Sequence, residues 1–363
     1  MDKTRIIAGL LLGCTLMVSG CRREPLPDTG DGEIRFSAVS LTAREEPATK
    51  SFGSMKENFD APFVTDESIM VYGRRNNIWN PLVFDGDAVS WNGTTWGYGS
   101  PKYWSWKEEE DYYDFLAIYM PPMPSNYSPP LILTNGTTSP LALSAYYDMT
   151  VHQYDLMLAG KRRKFTDESR HSTVPLVFQR MLCAVGVKVK NISTTGDLYL
   201  DGYGFVNLLT YAKATVTAGD DPAYAWSNPS RSAAYVGGTT LASRTRVEKD
   251  AAYSFIDLGY DLMIPQDHNE HLGTDSYPSL VIKYAINESA PTVEATVPLK
   301  NIPVKGSTAL ISEWTWGVKY IYEIEMDLDG GVQVELTITP WDEIEAETPG
   351  LLIPPDWNAP TTP

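Results

Sequence analysis

The sequence predicts an all-β protein that folds as two tandem antiparallel β-sandwiches. Its 363 residues include 21 Tyr, 10 Trp, 27 Gly and 26 Pro, so bulky strand-forming residues are separated by residues that form turns. Apolar and polar residues alternate along several segments, most clearly at 185–190, 320–326 and 332–339. Strands with one buried and one solvated face show this alternation. No segment has a convincing helical periodicity.

The length of the chain suggests two domains, each large enough for a core of its own. We place the boundary just before the alternating segment that contains Cys183. The chain then divides into a lipoprotein signal peptide at 1–20, a flexible tether at 21–32, an N-terminal sandwich at 33–178, a C-terminal sandwich at 179–343 and a Pro-rich tail at 344–363. The tether is polar and rich in Pro and Gly, as flexible linkers are.

The N-terminal segment has the features of a bacterial lipoprotein signal. Lys3 and Arg5 precede an apolar run at 6–18, which is too short for a membrane-spanning helix. Val18-Ser19-Gly20-Cys21 then resembles a lipobox. This resemblance implies that the Cys21 thiol receives a diacylglycerol and becomes the mature N-terminus, and two or more acyl chains hold a protein stably on a bilayer. A plain signal peptide or a buried apolar strand is the alternative.

Charge and cysteine content exclude several classes of partner and bond. The formal net charge of −17 argues against nucleic acid or anionic lipid as a partner, since both need a basic surface. Of the three cysteines, Cys14 leaves with the signal peptide and Cys21 is lipid-modified. Only Cys183 remains, so we expect no internal disulfide and a small buried thiol.

No motif supports catalysis or a bound cofactor. Asp28-Thr29-Gly30 matches the aspartic-protease triplet but occurs once, whereas such an enzyme needs two carboxylates. His268 and His271 have the spacing of metal ligands, but the sequence around them is typical of a solvated loop and offers no third ligand. We expect the basic run Lys161-Arg162-Arg163-Lys164 at a solvated hairpin tip. The sequence therefore predicts no enzymatic activity, no cofactor and no metal.

Aromatic residues crowd into the segment 91–106, and they allow two interpretations. If Trp91, Trp96 and Trp104 were exposed, they could stack on sugar rings and make the protein a glycan-binding surface lipoprotein. Alternatively, these aromatics close one end of a sandwich core. The core interpretation is favoured, and glycan contacts remain the alternative.

A series of short motifs in a fixed order resembles one known family. The motifs are Ile34-Arg35-Phe36-Ser37, Asp66-Glu67-Ser68-Ile69-Met70-Val71-Tyr72-Gly73, Lys102-Tyr103-Trp104, Tyr113-Asp114-Phe115-Leu116-Ala117-Ile118-Tyr119, Val174-Pro175-Leu176-Val177-Phe178-Gln179-Arg180, Met263-Ile264-Pro265-Gln266, Trp314-Thr315-Trp316-Gly317 and the segment 334–341. Together they cover about 33–343 and resemble the fimbrillin family, the type V pilus subunits of Bacteroidales-type bacteria. The family often has His where Arg180 stands.

The resemblance implies two transthyretin-like Greek-key sandwiches in an outer-membrane surface lipoprotein that assembles with other subunits into fimbriae for cell adhesion. It also implies that an Arg-specific protease removes the first strand and that a strand from a neighbouring subunit replaces it by β-strand addition. Ile34 and Phe36 would anchor that removable strand. Arg44 would lie at the cleaved bond, with Arg35 and Lys50 as competing sites. Host proteins or glycans are further partners that the resemblance suggests.

The C-terminal tail departs from the pattern expected of a shaft subunit. Only Leu351, Leu352 and Ile353 are apolar there, and Pro354 and Pro355 follow. Proline cannot donate to a strand ladder, so the tail is a poor donor strand. An anchor, tip or accessory position, or a donor strand taken from 332–338, stays open.

Replacing Cys21 by Ser should abolish lipid attachment, because the thioether that carries the diacylglycerol can no longer form. We expect no incorporation of labelled fatty acid and release of the protein from membranes. Cys14→Ser is the matched control and should keep the label, since that residue leaves with the signal peptide. Undiminished labelling of the Cys21→Ser protein would refute lipidation at this residue.

Overall fold

The computed structural model of the protein describes residues 32–41, 68–76, 82–119, 131–135, 139–150, 155–234, 236–238, 240–249, 256–270, 276–328 and 331–340. Every regular element in these ranges is a β-strand, which confirms the all-β prediction. Within the same ranges no helix is long and apolar enough to cross a membrane. The predicted signal peptide, Cys21, Arg44, Lys50 and the C-terminal tail lie outside the described residues.

Sheet 1 has seven strands and carries the first strand of the chain at one end. Across the sheet the order is β1 (Phe36–Leu41), β9 (Val174–Arg180), β8 (Met157–Lys164), β5 (Tyr112–Tyr119), β2 (Ser68–Arg75), β3 (Phe84–Trp91) and β4 (Trp96–Gly97). β1 and β9 are parallel, and every other neighbouring pair is antiparallel. β1 therefore forms strand-to-strand pairs with β9 alone.

The two ends of sheet 1 approach each other. Residues just before β1 pair with residues that follow β4. The Ile34 N–H donates to the Lys102 carbonyl at 2.8 Å, and the Trp104 N–H donates to the Gly32 carbonyl at 3.0 Å. The sheet is thus curled around its inner face, and the segment leading into β1 completes the closure.

Sheet 2 takes strands from both sides of the predicted domain boundary. Its order is β13 (Ala223–Ser232), β12 (Leu208–Thr217), β7 (Ala142–Asp148) and β6 (Leu131–Thr134). β12 pairs antiparallel with β7 from Tyr211 opposite Asp148 to Thr217 opposite Ala142. The segment 33–178 does not contain the whole of this sheet, and the division into two tandem sandwiches stays a prediction.

Sheets 3 and 4 are built from later parts of the chain. Sheet 3 has the order β15 (Ile256–Met263), β10 (Cys183–Asn191), β20 (Val318–Asp327) and β21 (Gly331–Pro340), and sheet 4 has the order β14 (Thr240–Val247), β11 (Leu198–Val206), β16 (Ser279–Ala285) and β17 (Val293–Pro298). β18 (Ile302–Pro303) and β19 (Leu310–Ile311) form a short ribbon. The three alternating segments of the sequence lie in β10, β20 and β21, as predicted.

The central strands of sheet 1 are buried on both faces because each face belongs to a different hydrophobic core. Along β5, Phe115 and Ala117 belong to a smaller core enclosed by the curled sheet. Leu116 and Ile118 belong to a larger core that continues over sheets 2, 3 and 4. Burial on both faces explains why β5 is an almost continuous apolar run instead of an alternating one.

A buried ionic cluster joins three strands of sheet 1. Arg74 and Asp114 are fully buried, and Arg162 donates from Nε to the Asp114 carboxylate at 2.7 Å. Arg162 belongs to the basic run that we expected at a solvated hairpin tip. That expectation was wrong for Arg162, because the run is the end of β8 and Asp114 is its register partner on β5. Ionic pairing with a buried carboxylate holds this cation inside the fold.

His268 is part of the larger core region and not of a solvated loop. Its ring is fully buried and packs edge-on against the indole of Trp314, with ring centroids 4.7 Å apart. The expectation of a solvated histidine was therefore wrong, and His271 lies outside the described residues. Burial lowers the pKa of His268 from 6.5 to about 4, although the Leu299 backbone and Asp267 act to raise it.

Acidification should destabilise the protein through His268. The unfolded chain binds a proton near pH 6.5, whereas the folded protein resists protonation down to about pH 4. The stability that neutral His268 confers is therefore complete above pH 6.5 and is lost as the pH falls towards 4, by about 3 kcal/mol in all. Urea unfolding at pH 7.5, 5.5 and 4.5 measures this loss.

The variant His268→Leu should lose about 2–3 kcal/mol less than the parent protein over the same pH range. Other titrating groups contribute equally to both proteins, so the difference reports on His268. His171→Leu is the control, since the His171 side chain is exposed. An identical pH dependence for His268→Leu and the parent would contradict the assignment.

Candidate functional site

The N-terminal strand β1 and the groove that it fills form the candidate site. β1 pairs with β9 in register from Phe36 opposite Val174 to Leu41 opposite Gln179. The Val174 N–H donates to the Arg35 carbonyl at 2.7 Å. β1 is the terminal strand of the sheet, so its removal would leave the pairing of the other six strands in place.

Alternate side chains of the N-terminal segment point into the smaller core. Ile34, Phe36 and Ala38 are 0%, 4% and 1% exposed. Arg35 lies between two of them and its side chain is 70% exposed. The structure thus buries Ile34 and Phe36, the two residues that the sequence analysis named as anchors.

Phe36 lies among three aromatic rings. Its ring centroid is 5.1 Å from that of Phe84, 5.5 Å from that of Phe115 and 6.2 Å from that of Tyr98, and all three pairs are edge-to-face. Such pairs contribute about 0.5–1.5 kcal/mol each beyond the burial of area. We call these three rings the aromatic socket. They come from β3, β5 and the residues after β4, and no local sequence signal connects them.

Tyr98 also recognises the main chain of the N-terminal segment. Its hydroxyl donates to the Ile34 carbonyl at 2.5 Å. Burial raises the pKa of Tyr98, while the Lys102 backbone acts in the opposite direction. The hydroxyl therefore stays protonated at neutral pH and can serve as a donor. This contact does not depend on the side chain at position 34, so it would hold any strand in that place.

The tryptophans of the segment 91–106 belong to the smaller core. Trp91, Trp96, Trp104 and Trp106 are 9%, 9%, 1% and 6% exposed. Trp104 and Trp106 stack with ring centroids 5.2 Å apart. Sugar stacking needs an exposed ring face. The glycan surface considered for Trp91, Trp96 and Trp104 is therefore not formed, and the core interpretation describes them correctly.

The position of Arg35 bears on the three candidate cleavage sites. Its carbonyl accepts a backbone hydrogen bond from β9, so the peptide bonds around it are held in the sheet. A protease acts most readily on an exposed segment without backbone pairing. Arg35 is thus a poor site in the folded protein. Arg44 and Lys50 lie outside the described residues and stay predictions.

The described residues can be compared with the requirements of a metal site, a reactive thiol and a strand-binding groove. No group of three or more His, Cys, Asp or Glu side chains among them could hold a metal ion. Cys183 is fully buried, as the sequence predicted, and burial raises the pKa of its thiol well above the usual value. The arrangement around β1 can bind an extended strand through main-chain hydrogen bonds and buried alternate side chains.

The chain matches the family model described as Fimbrillin-like over residues 60–341. It therefore belongs to the fimbrillin-like family. Membership supports a role as a fimbrial subunit at the cell surface and implies a structural, non-enzymatic protein. No curated protein matches the chain.

Three solved structures of fimbrial and cell adhesion proteins are similar to this chain. A fimbrial protein from Bacteroides vulgatus matches with a TM-score of 0.53 and 15% identity, over 86% of this chain and 100% of that one. A putative cell adhesion protein from Bacteroides uniformis matches with a TM-score of 0.42 and 14% identity, over 86% of this chain and 100% of that one. The tip fimbrial protein Mfa3 from Porphyromonas gingivalis matches with a TM-score of 0.37 and 11% identity, over 76% of this chain and 95% of that one. The similarity to the fimbrial protein from Bacteroides vulgatus supports the fold of this chain.

Truncation of Phe36 should destabilise the protein strongly. Phe36→Ala empties the aromatic socket, and comparable core truncations cost about 3–5 kcal/mol. Denaturant unfolding followed by tryptophan fluorescence measures the change. Arg35→Ala on the same strand is the control and should change the free energy of unfolding by less than about 0.5 kcal/mol. Equal effects of the two substitutions would show that Phe36 is no anchor.

Proposed function

We propose that this protein is a structural subunit of a surface fimbria in which β1 is exchanged for a strand of another subunit. The observation that carries the proposal is the position of β1. It is the terminal strand of sheet 1. Together with Ile34 just before it, β1 covers one end of the smaller core with three buried alternate side chains. A strand in such a position can be replaced by another of similar pattern.

Loss of β1 would affect only part of the protein. The buried side chains described in β1, Phe36 and Ala38, belong to the smaller core, and neither belongs to the larger core that spans sheets 2, 3 and 4. Removal of β1 would expose the aromatic socket and the unpaired edge of β9, and this exposure is unfavourable in water. A replacement strand removes both penalties, and this provides the driving force for association.

Cleavage after Arg44 by an Arg-specific protease would supply the trigger. Before cleavage, β1 remains attached to the body and competes at a high effective concentration with any incoming strand. After cleavage, only non-covalent contacts hold β1. The lipid at Cys21 stays on the same fragment as β1, so replacement would also release the body from the outer membrane. The segment 332–338 lies in the edge strand β21 and is a candidate donor to a neighbouring subunit.

Locking β1 to β9 should block assembly without unfolding the protein. Ser37 and Pro175 are register partners on adjacent parallel strands, and both are partly exposed. Adjacent strands lie about 4.8 Å apart, within the Cα separations that disulfides span. We expect the oxidised double variant Ser37→Cys, Pro175→Cys to reach the surface but not to enter fibres. Reductant should restore its entry, and electrophoresis of purified fibres measures it.

Two further proteins complete this experiment. Ser37→Cys alone should assemble normally, while Arg44→Ala should accumulate as a folded, lipidated monomer that fails to enter fibres. Protein in the fibres of the parent strain should begin at Glu45. Fibres that contain the locked disulfide would refute strand exchange, whereas fibres of intact chains beginning at Cys21 would indicate an unprocessed anchor.

A further inference from the structure

The aromatic socket has walls that are themselves fixed by packing. Phe84 and Phe115 lie 6.1 Å apart, and Phe84 and Tyr98 lie 5.3 Å apart, between ring centroids. Behind Phe115, the rings of Tyr113 and Trp104 lie 6.0 Å and 5.8 Å away. Because protein interiors are close-packed, rings held in this way do not readily collapse into a smaller space.

A glycine in β2 sets the position of two of these walls. A Cβ atom on Gly73 would lie 3.0 Å from a Phe115 ring carbon and 3.2 Å from a Phe84 ring carbon. Any side chain there would displace both rings, and both rings contact Phe36. Glycine at position 73 thus allows Phe84 and Phe115 to lie where both contact the ring of Phe36.

An aliphatic side chain would fill this space poorly. The three edge-to-face contacts of Phe36 need a flat ring. A Val, Leu or Ile in its place would forgo those contacts and leave a void, and interior voids are unfavourable. The groove therefore distinguishes strands by the residue at the position of Phe36, while the Tyr98 contact with the main chain does not.

The edge strand β21 does not have the residues that the socket needs. Its core-facing side chains are Val332, Val334, Leu336 and Ile338. None of these four is aromatic. A shift of one residue would turn the other face inward and place polar side chains in the core. A second copy of this chain that donated β21 would therefore leave the socket without a ring in either register.

We propose that the groove of this subunit selects a strand from a different protein. The strand has a bulky aliphatic, an aromatic and a small side chain at three alternate positions, as Ile34, Phe36 and Ala38 have. A second copy cannot supply this pattern, because its β21 lacks it and cleavage after Arg44 would separate its own Ile34–Ala38 from its body. The partner is thus an unlike subunit with this pattern. This inference rests on the proposed function, since it assumes that β1 is replaced.

Peptide exchange into the full chain tests the selectivity. A cleavage sequence for a specific laboratory protease is inserted after Leu41, the protein is cut, and fluorescent synthetic peptides compete for the place of β1. The reference peptide is Glu33–Leu41 of this chain. We expect half-exchange to need about tenfold more of the Phe36→Leu peptide than of the reference peptide. The Phe36→Trp and Phe36→Tyr peptides should need a smaller increase in concentration.

Two control peptides complete the series. The Arg35→Ala version should exchange like the reference, because that side chain is exposed. A peptide of β21, Gly331–Pro340, should exchange no better than the Phe36→Leu version. Equal exchange by the reference and Phe36→Leu peptides, or strong exchange by the β21 peptide, would overturn the selectivity while leaving strand replacement intact. Failure of the reference peptide itself to enter the cut protein would overturn strand replacement and the selectivity with it.

Variants of the socket locate the selectivity in named residues. Phe84→Leu in the body should reduce the difference between the Phe36 and Leu peptides to about threefold or less, because one ring contact is gone. Tyr98→Phe should weaken all peptides to a similar degree, because it keeps the ring and removes only hydroxyl contacts with the main chain of Ile34 and Lys102. An undiminished preference for the aromatic peptide in Phe84→Leu would show that selectivity arises outside the socket. The near-ultraviolet circular dichroism of each cut protein checks that it is folded.

Discussion

Burial of alternate side chains of β1 inside the curled sheet 1 is the interaction on which the rest of the site depends. The sheet encloses an aromatic core, which β1 and the residue Ile34 before it close by placing Ile34, Phe36 and Ala38 against that core. Fully burying one large apolar side chain stabilises by about 1.5–3 kcal/mol, so Ile34 and Phe36 together are a substantial part of the stability of this region. The same contacts that complete the fold are those that a partner strand would make.

The two-sided burial of sheet 1 separates the consequences of losing β1 from the rest of the fold. Leu116 and Ile118 on β5 belong to the larger core, while Phe115 and Ala117 on the same strand belong to the smaller one. Between neighbouring strands, Asp114 binds Arg74 and Arg162 in a buried cluster. These contacts hold the centre of the sheet independently of its terminal strand. With the centre of the sheet held in this way, the proposed exchange of β1 would leave the other strands of sheet 1 folded.

Several features of the site follow from local pattern and were predictable. The period of two along a strand identified β10, β20 and β21. The family resemblance named Ile34 and Phe36 as anchors of the first strand, and both are buried. The apolar surroundings of Cys183 indicated a buried thiol, which the structure contains. Other features were not predictable, because their cause is a residue far away in sequence. Arg162 is held by Asp114 on a neighbouring strand, and His268 packs on Trp314.

The sequence by itself determined the all-β class and the buried face of the alternating strands β10, β20 and β21, because side-chain direction alternates with the backbone and needs no distant partner. Only the tertiary structure decided which strands are neighbours. Pairing of β7 with β12 brings together segments on either side of residue 178, and the convergence of Phe84, Tyr98 and Phe115 creates a socket that no linear motif records. Such long-range contacts depend on the burial of all the surrounding side chains at once, and local propensity does not contain that information.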